Sequence, residues 1–230
     1  MITLDGVTLK LGKKQILDDI NYTFSSGKTY GIIGTNGAGK TTLLNCISGL
    51  NNQFNGNISI TPEFRHSISY LESTLIFHDR MKAGEFVQLC LRARKITGYD
   101  INAACQSFEL PAHEFIDTFS SGMKKKLMLL VFLLIKDKVI LLDEPFANLD
   151  AEAIHLLTEA ILRIKEMGST VIITSHDIGS LLNCSDRLLL INGGKIHQDE
   201  DAANAGEMVR TYQGFLEESK QTFLTTVGLG

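Results

Sequence analysis

The stretch Gly34-Thr35-Asn36-Gly37-Ala38-Gly39-Lys40-Thr41 satisfies the spacing G-x-x-x-x-G-K-[ST], and it constrains the fold more than any other feature of the chain. It follows the apolar segment Tyr30-Gly31-Ile32-Ile33 and runs into a helical pattern from about Lys40 to Ser48. A buried strand, a tight loop and a helix must therefore succeed one another here. Glycine gives backbone N–H groups the φ values and the room to turn inward around a phosphate. The helix start adds its dipole and free amides, Lys40 a point charge for the β and γ phosphates, and the Thr41 hydroxyl a ligand for Mg²⁺. Residues Gly34 to Thr41, with Thr42 beside them, are the expected cradle for a nucleotide.

Such a loop needs a second Mg²⁺ anchor at the end of a neighbouring buried strand, and Val139-Ile140-Leu141-Leu142-Asp143-Glu144 supplies it: four apolar residues deliver two carboxylates. Asp143 is the expected metal holder, directly or through water, and Glu144 the group that polarises the water attacking the γ-phosphate. His176 follows the apolar run Val171-Ile172-Ile173-Thr174 through Ser175. It too is expected at a carboxyl strand end, near the same crevice, as a donor to the γ-phosphate.

Around these motifs, Ile2 to Leu9, Ile20 to Phe24 and Ile58 to Ile60 read as strands, with turn signals at Ser25-Ser26-Gly27 and Asn55-Gly56-Asn57. From about Ala83 to Asp117 the texture is helical, with breaks at Thr97-Gly98 and Leu110-Pro111. Leu127 to Ile135 reads as a buried helix. Asp150 caps a helix whose Ile154, Leu157, Ile161 and Ile164 share one face, and Gly168 stops it. Arg187 to Ile191 makes a further strand. Strands apolar on both faces that alternate with helices imply an α/β fold, its parallel core sheet wrapped by helices and fronted by an antiparallel N-terminal part.

The 230 residues suit one large domain or a domain carrying an insertion. Asp199, Glu200, Asp201, Glu207, Glu217 and Glu218 against Arg210 and Lys220 account for the whole net charge of −4, so the rest is neutral and a general nucleic-acid binder is a poor reading. Cys46, Cys90, Cys105 and Cys184 form no CxxC pair and read as reduced, packed thiols. The N-terminus has no basic region followed by an apolar stretch, and the longest apolar run, Leu127 to Ile135, is about half of the ~20 residues needed to span a bilayer. The expectation is a cytoplasmic protein. Lys124-Lys125-Lys126 reads as a solvated helix face, and Val209, Tyr212, Phe215 and Leu216 give the tail from Gln198 onward helical spacing.

Taken together, the motifs resemble the ATP-binding cassette family, the nucleotide-binding subunits of ABC transporters, over roughly residues 1 to 197. Asn148-Leu149-Asp150 looks like the family's D-loop and Thr174-Ser175-His176 like its switch histidine. Phe119-Ser120-Ser121-Gly122-Met123 resembles the signature segment L-S-G-G-Q. The resemblance implies a P-loop ATPase cassette (residues 1–197) with an inserted helical subdomain (about 75–135) and a short helical tail (198–230). It implies that Ser120, Ser121 and Gly122 act on the nucleotide of a second cassette, in a homodimer or heterodimer. ATP and Mg²⁺ are the implied ligands, and the implied partner is a transmembrane permease that holds the chain at the inner face of the membrane. The sequence departs from the family at Ser121, which replaces the first signature glycine, and at Met123. No glutamine follows Ile68-Ser69-Tyr70-Leu71, where Glu72 or Ser73 stands nearest, and Leu11 takes the place of the aromatic that stacks on adenine. Two other functions remain open on this evidence: a cassette ATPase serving a soluble machine, and a weakly hydrolysing regulatory cassette.

Overall fold

A computed structural model describes residues 1–78 and 80–226. In chain order, β1 (Ile2–Leu11), β2 (Lys14–Phe24) and β3 (Thr29–Ile33) lead into α1 (Lys40–Ser48), β4 (Asn55–Ile60), α2 (Pro62–Arg65) and β5 (Ile68–Leu71). The helices α3 (Ala83–Ala93), α4 (Ile101–Ser107) and α5 (Ser121–Ile135) follow. Then come β6 (Val139–Asp143), α6 (Ala151–Glu166), β7 (Thr170–Ser175), α7 (Ile178–Leu182), β8 (Arg187–Asn192), β9 (Lys195–Asp201) and α8 (Gly206–Thr226).

The larger sheet has the order β5-β6-β7-β3-β8-β9, parallel throughout except for the antiparallel pair β8–β9. The smaller, β2-β1-β4, is antiparallel. The period-2 alternation of strand side chains divides the apolar residues between two cores. Tyr30, Ile32, Val139, Leu141, Ile172, Leu189 and Ile191 face α1 and the small sheet. Ile33, Ile140, Leu142, Val171, Ile173, Leu188 and Leu190 face the inserted helices, α6 and α8. Every residue of β3, β6 and β7 is buried, which is why these strands read as continuous apolar runs. Cutting one of their leucines or isoleucines to alanine costs about 2–5 kcal/mol.

An ion pair between the buried Asp137 and the partly exposed Arg94 ties the helical insertion to the sheet. Asp137, just before β6, accepts hydrogen bonds from the Ser67 and Ser69 hydroxyls (2.9 and 2.7 Å) and from Arg94 Nη2 (2.7 Å). Arg94, at the end of α3, also donates to the carbonyls of His66 and Ile68. The carboxylate is thus fully paired, the condition under which a buried charge is tolerable.

Four expectations need correction. Strand β2 begins at Lys14 rather than Ile20. The stretch from Gln198 is not helical at first: residues 198–201 belong to β9, with Leu190 opposite Gln198 and Leu188 opposite Glu200. Its sequence Lys-Ile-His-Gln-Asp-Glu-Asp reads as polar because it is a sheet edge, where charge blocks further strand pairing. The helix that follows, α8, is 21 residues long rather than short, and buries Met208 and Tyr212 in the core of the sheet's second face. Finally, β6 is not the neighbour of β3, because β7 lies between them.

Candidate active site

The carboxyl ends of β3, β6 and β7 lie on one edge of the sheet, so the turns after them share a crevice. The turn after β3 is the glycine loop. A Cβ on Gly34 would lie 2.2 Å from the Ile191 carbonyl oxygen, and one on Gly39, at φ 105°, 2.7 Å from that of Ile16. Both glycines are required by the close approach of β8 and β2. Gly39 caps α1 with no side chain of its own, so the helix's first amides are left to an incoming acceptor.

Lys40 is 7% exposed and its Nζ donates to the carbonyls of Gly34 (2.8 Å) and Thr35 (3.3 Å), with Glu144 Oε1 at 3.6 Å. Burial holds this ammonium below the usual lysine range, while Glu144 and Asp143 pull it back up. The Thr41 hydroxyl lies 3.1 and 2.9 Å from the two oxygens of Asp143. Asp143 is fully buried and also accepts from the Thr174 hydroxyl at 2.6 Å. One residue on, Glu144 has a positive φ of 49°, its N–H bonded to Thr174. Its Oε2 lies 2.8 Å from His176 Nδ1 and accepts from the His176 N–H.

Asn36, Gly37, Ala38, Gly39, Lys40, Thr41, Thr42 and Glu144 line a cleft of ≈ 290 Å³. Leu11 and Ser73 line it too, whereas Glu72 does not. Gly34 and Thr35 contribute their carbonyls to Lys40, and Thr35 borders a second hollow with Asn36, His176, Tyr212 and Leu216. Ser120, Ser121 and Gly122 do not line the cleft. Ser120 caps α5 by accepting from the Met123 N–H at 3.2 Å, and Asp150 caps α6 in the same way.

The donors available suit Mg²⁺. Among the described residues no group of three or more His, Cys, Asp or Glu side chains forms a closed metal cage. A threonine hydroxyl beside a buried carboxylate at the phosphate loop is the sparse protein share that Mg²⁺ accepts when water and phosphate oxygens complete its shell.

Three residues of the site escaped the sequence reading. Lys14 and Ile16 line the cleft because β2 runs back beside Leu11 through the two-residue turn Gly12-Lys13; extending β2 upstream of Ile20 would have found them. Lys125 is not on a solvated face: it is 7% exposed and donates to the carbonyls of Glu144 (3.2 Å) and Ala147 (2.7 Å). Its helical spacing from Leu129 and Phe132, both buried, was the available signal. Lys126, by contrast, pairs with the exposed Glu109.

The family model described as ABC transporter matches residues 17–147. Over 210 residues the chain is 32% identical to an uncharacterized ABC transporter ATP-binding protein, YybJ, of Bacillus subtilis (strain 168), covering 87% of this chain and 96% of the relative. It is 29% identical over 215 residues to the Fe(3+) ions import ATP-binding protein FbpC 1 of Haemophilus influenzae, covering 87% and 66%. Its fold is similar to that of the ATP-binding cassette MJ0796, solved as a dimer in a post-hydrolysis state bound to ADP and Pi, with a TM-score of 0.77 at 21% identity over 88% of this chain and 99% of that one. Phosphate loop, strand-end carboxylates, fold and sequence similarity agree, and the chain belongs to the ABC transporter family as an ATP-binding subunit.

Proposed function

We propose that this chain is the Mg·ATP-hydrolysing motor subunit of an ABC transporter, paired with a second cassette as a homodimer or heterodimer. It drives a transmembrane permease from the cytoplasmic face of the membrane. Among the described residues no helix is long and apolar enough to cross a membrane, and in this reading the permease supplies the spanning path. The observation that carries the reading is one chain of contacts: Thr41 to Asp143 at 2.9 Å, Lys40 to Glu144 at 3.6 Å and Glu144 to His176 at 2.8 Å.

In this reading the amides of residues 34–42 and the start of α1 bind the triphosphate, and Lys40 exchanges its carbonyl partners for the β and γ oxygens. Thr41 and Asp143 hold Mg²⁺, which when bound neutralises the charge developing on the phosphates. Glu144, 18% exposed, accepts the proton of the attacking water. His176 orients that carboxylate and reads the γ-phosphate. Leu11 and Ile16 offer the adenine an apolar wall in place of an aromatic ring, and Ser73 is the nearest polar group on the side where a glutamine is missing.

The exposure of Ser120 and Ser121, which do not line this chain's own cleft, supports their acting on the opposite cassette's nucleotide together with Gly122. A Cβ on Gly122 would meet nothing closer than Leu149 Cδ2 at 3.5 Å, so its own chain does not demand the glycine. An approaching phosphate would. Hydrolysis then removes the charge holding two cassettes together, and they open.

The test is Glu144→Gln. ATP binding persists, ATP-dependent dimers accumulate in size-exclusion chromatography, and phosphate release falls by about 10²–10⁴-fold. Unchanged steady-state hydrolysis removes Glu144 from the role. Ser121 motivates a second reading, a regulatory cassette beside a competent one; it requires turnover by the purified chain to be negligible alone and restored by a partner cassette. Recovery of soluble partners alone in detergent extracts supports a non-transport machine.

A further inference from the structure

Lys125 is the one lysine of the run 124–126 that turns inward. Its ammonium reaches the carbonyls at both ends of the turn Glu144–Ala147, at 3.2 and 2.7 Å. That turn is closed by the Ala147 N–H donating to the Glu144 carbonyl, and it is bounded by two non-glycine residues in the left-handed region, Glu144 at φ 49° and Asn148 at φ 59°. Left-handed backbone at such residues is sterically costly and persists only where surrounding contacts hold it. Here the contacts are the Thr174 bonds to the Glu144 N–H on one side and the Lys125 ammonium on the two carbonyls on the other.

The backbone of Glu144 sets where its carboxylate points. Without a cation between them, the two carbonyls converge on an empty buried point and repel each other. The ammonium is desolvated enough to sit below the usual lysine range, and the Glu144 charge opposes that shift, so the two groups sense each other electrostatically. Lys125, in the second turn of α5, therefore holds both ends of the turn from Glu144 to Ala147.

We propose that Lys125 is a positioning residue for ATP hydrolysis: its two main-chain contacts fix the turn that aims Glu144 and lock that turn to the helix beginning at Ser121. The inference rests on the hydrolytic role proposed for Glu144. It also gives a physical path between the two catalytic positions of a cassette pair. The segment facing the opposite nucleotide and the base serving this chain's own nucleotide sit on one clamped unit, so a shift of α5 is felt at Glu144.

The experiment compares the parent with Lys125→Met, which keeps the apolar stem, and with Lys125→Arg, which keeps charge and donors. Steady-state phosphate release and nucleotide titration are measured on each, alone and in the Glu144→Gln background. Met lowers kcat by about tenfold or more with KM for ATP within about twofold, and Arg restores turnover to within about threefold of the parent. In the Glu144→Gln background Lys125→Met adds no further loss, because a residue acting through Glu144 has nothing left to position. Unchanged kcat in a folded Lys125→Met protein overturns the proposal. So does an equal loss in the Glu144→Gln background, or an Arg variant no better than Met. Should Lys125→Met fail to fold, Lys125→Gln, which keeps amide donors, takes its place with the same criteria. A parent that fails to hydrolyse Mg·ATP overturns the reading of Glu144 and this inference with it; an active parent with an equally active Met variant overturns this inference alone.

Discussion

His176 Nδ1 lies 2.8 Å from Glu144 Oε2, and this contact governs both groups before a nucleotide arrives. An ionised carboxylate only accepts, so in the neutral ring the proton sits on Nδ1 and Nε2 carries the lone pair. To donate to a γ-phosphate the ring must take a second proton or exchange Glu144 for the phosphate. In the proposed mechanism the histidine thereby links the charge of the nucleotide to the direction of the Glu144 carboxylate.

His176→Ala is expected to lower kcat by about 10²-fold while nucleotide affinity changes by less than about threefold, since in the proposed mechanism the loop amides and Lys40 do the binding. Steady-state phosphate release and a fluorescent-nucleotide titration check this. Full turnover in the alanine variant would leave the Glu144 contact without a catalytic purpose.

Lys40 is held by two loop carbonyls and Glu144 in a buried position, so it is poised to change partners rather than to be recruited from solvent. At about 100 times its Kd, Mg·ATP stabilises the folded chain by about 2.7 kcal/mol, which at this size raises Tm by about 5–10 °C. Lys40→Ala is expected to abolish most of that shift at the same nucleotide concentration. Differential scanning fluorimetry reads it, and an undiminished shift in the alanine variant places the nucleotide elsewhere.

What could be read from the sequence, and what could not, divides along a physical line. The loop at Gly34–Thr41 and the strand ends at Asp143 and Ser175 are local patterns, a turn chemistry and an apolar run, and they were legible. Strand order was not: β7 lies between β3 and β6, and nothing in either strand's residues encodes its neighbour. The edge strand β9 was missed because its polar, acidic composition reflects exposure at a sheet edge rather than a lack of pairing. Lys125 was missed because charge is ordinarily solvated, and only tertiary packing supplies the two carbonyls that make its burial tolerable. The tail's Tyr212 was legible as a helix residue, but its hydroxyl bond to the His176 carbonyl at 3.0 Å depends on where α8 lands.

The thiols give a prediction in pH. All four cysteines are free, and burial pushes the thiol of Cys46 up to about 11 and that of Cys184 up to about 12. Unfolded thiols ionise near pH 9, the folded ones only at 11 or 12, so across that interval the unfolded chain holds fewer protons. Stability attributable to these thiols is intact below about pH 9 and declines above it, by about 1.4 kcal/mol per pH unit for each thiol. Lys40 and Lys125, held below the usual lysine value, act in the opposite sense, so the effect must be isolated by difference. Cys184→Ala is expected to cost stability at about pH 8 and to lose less than the parent between about pH 8 and about pH 10 in urea unfolding. A variant-to-parent difference independent of pH would mean that the thiol is not shielded.

Thr174 holds the carboxylate of Asp143 and the main chain of Glu144. It is fully buried, pairs with Asp143 across β6 and β7, donates its hydroxyl to Asp143 at 2.6 Å and accepts from the Glu144 N–H at 3.1 Å. Valine has nearly the same shape and neither function, so Thr174→Val leaves a buried carboxylate short of a donor and frees the Asp143 side chain to rotate. The loss is expected to be about 1.5–3 kcal/mol, the worth of a hydrogen bond to a charged group. In the proposed mechanism that bond also orients Asp143 toward the metal, so the Mg²⁺ concentration for half-maximal turnover should rise by about tenfold. Thr174→Ser keeps the hydroxyl and sacrifices one methyl group, about 0.8 kcal/mol of burial, and should keep the parent's Mg²⁺ dependence. Urea unfolding and an Mg²⁺ titration of phosphate release separate the two effects. A valine variant that matches the parent in both would show that Thr41 alone suffices to hold Asp143.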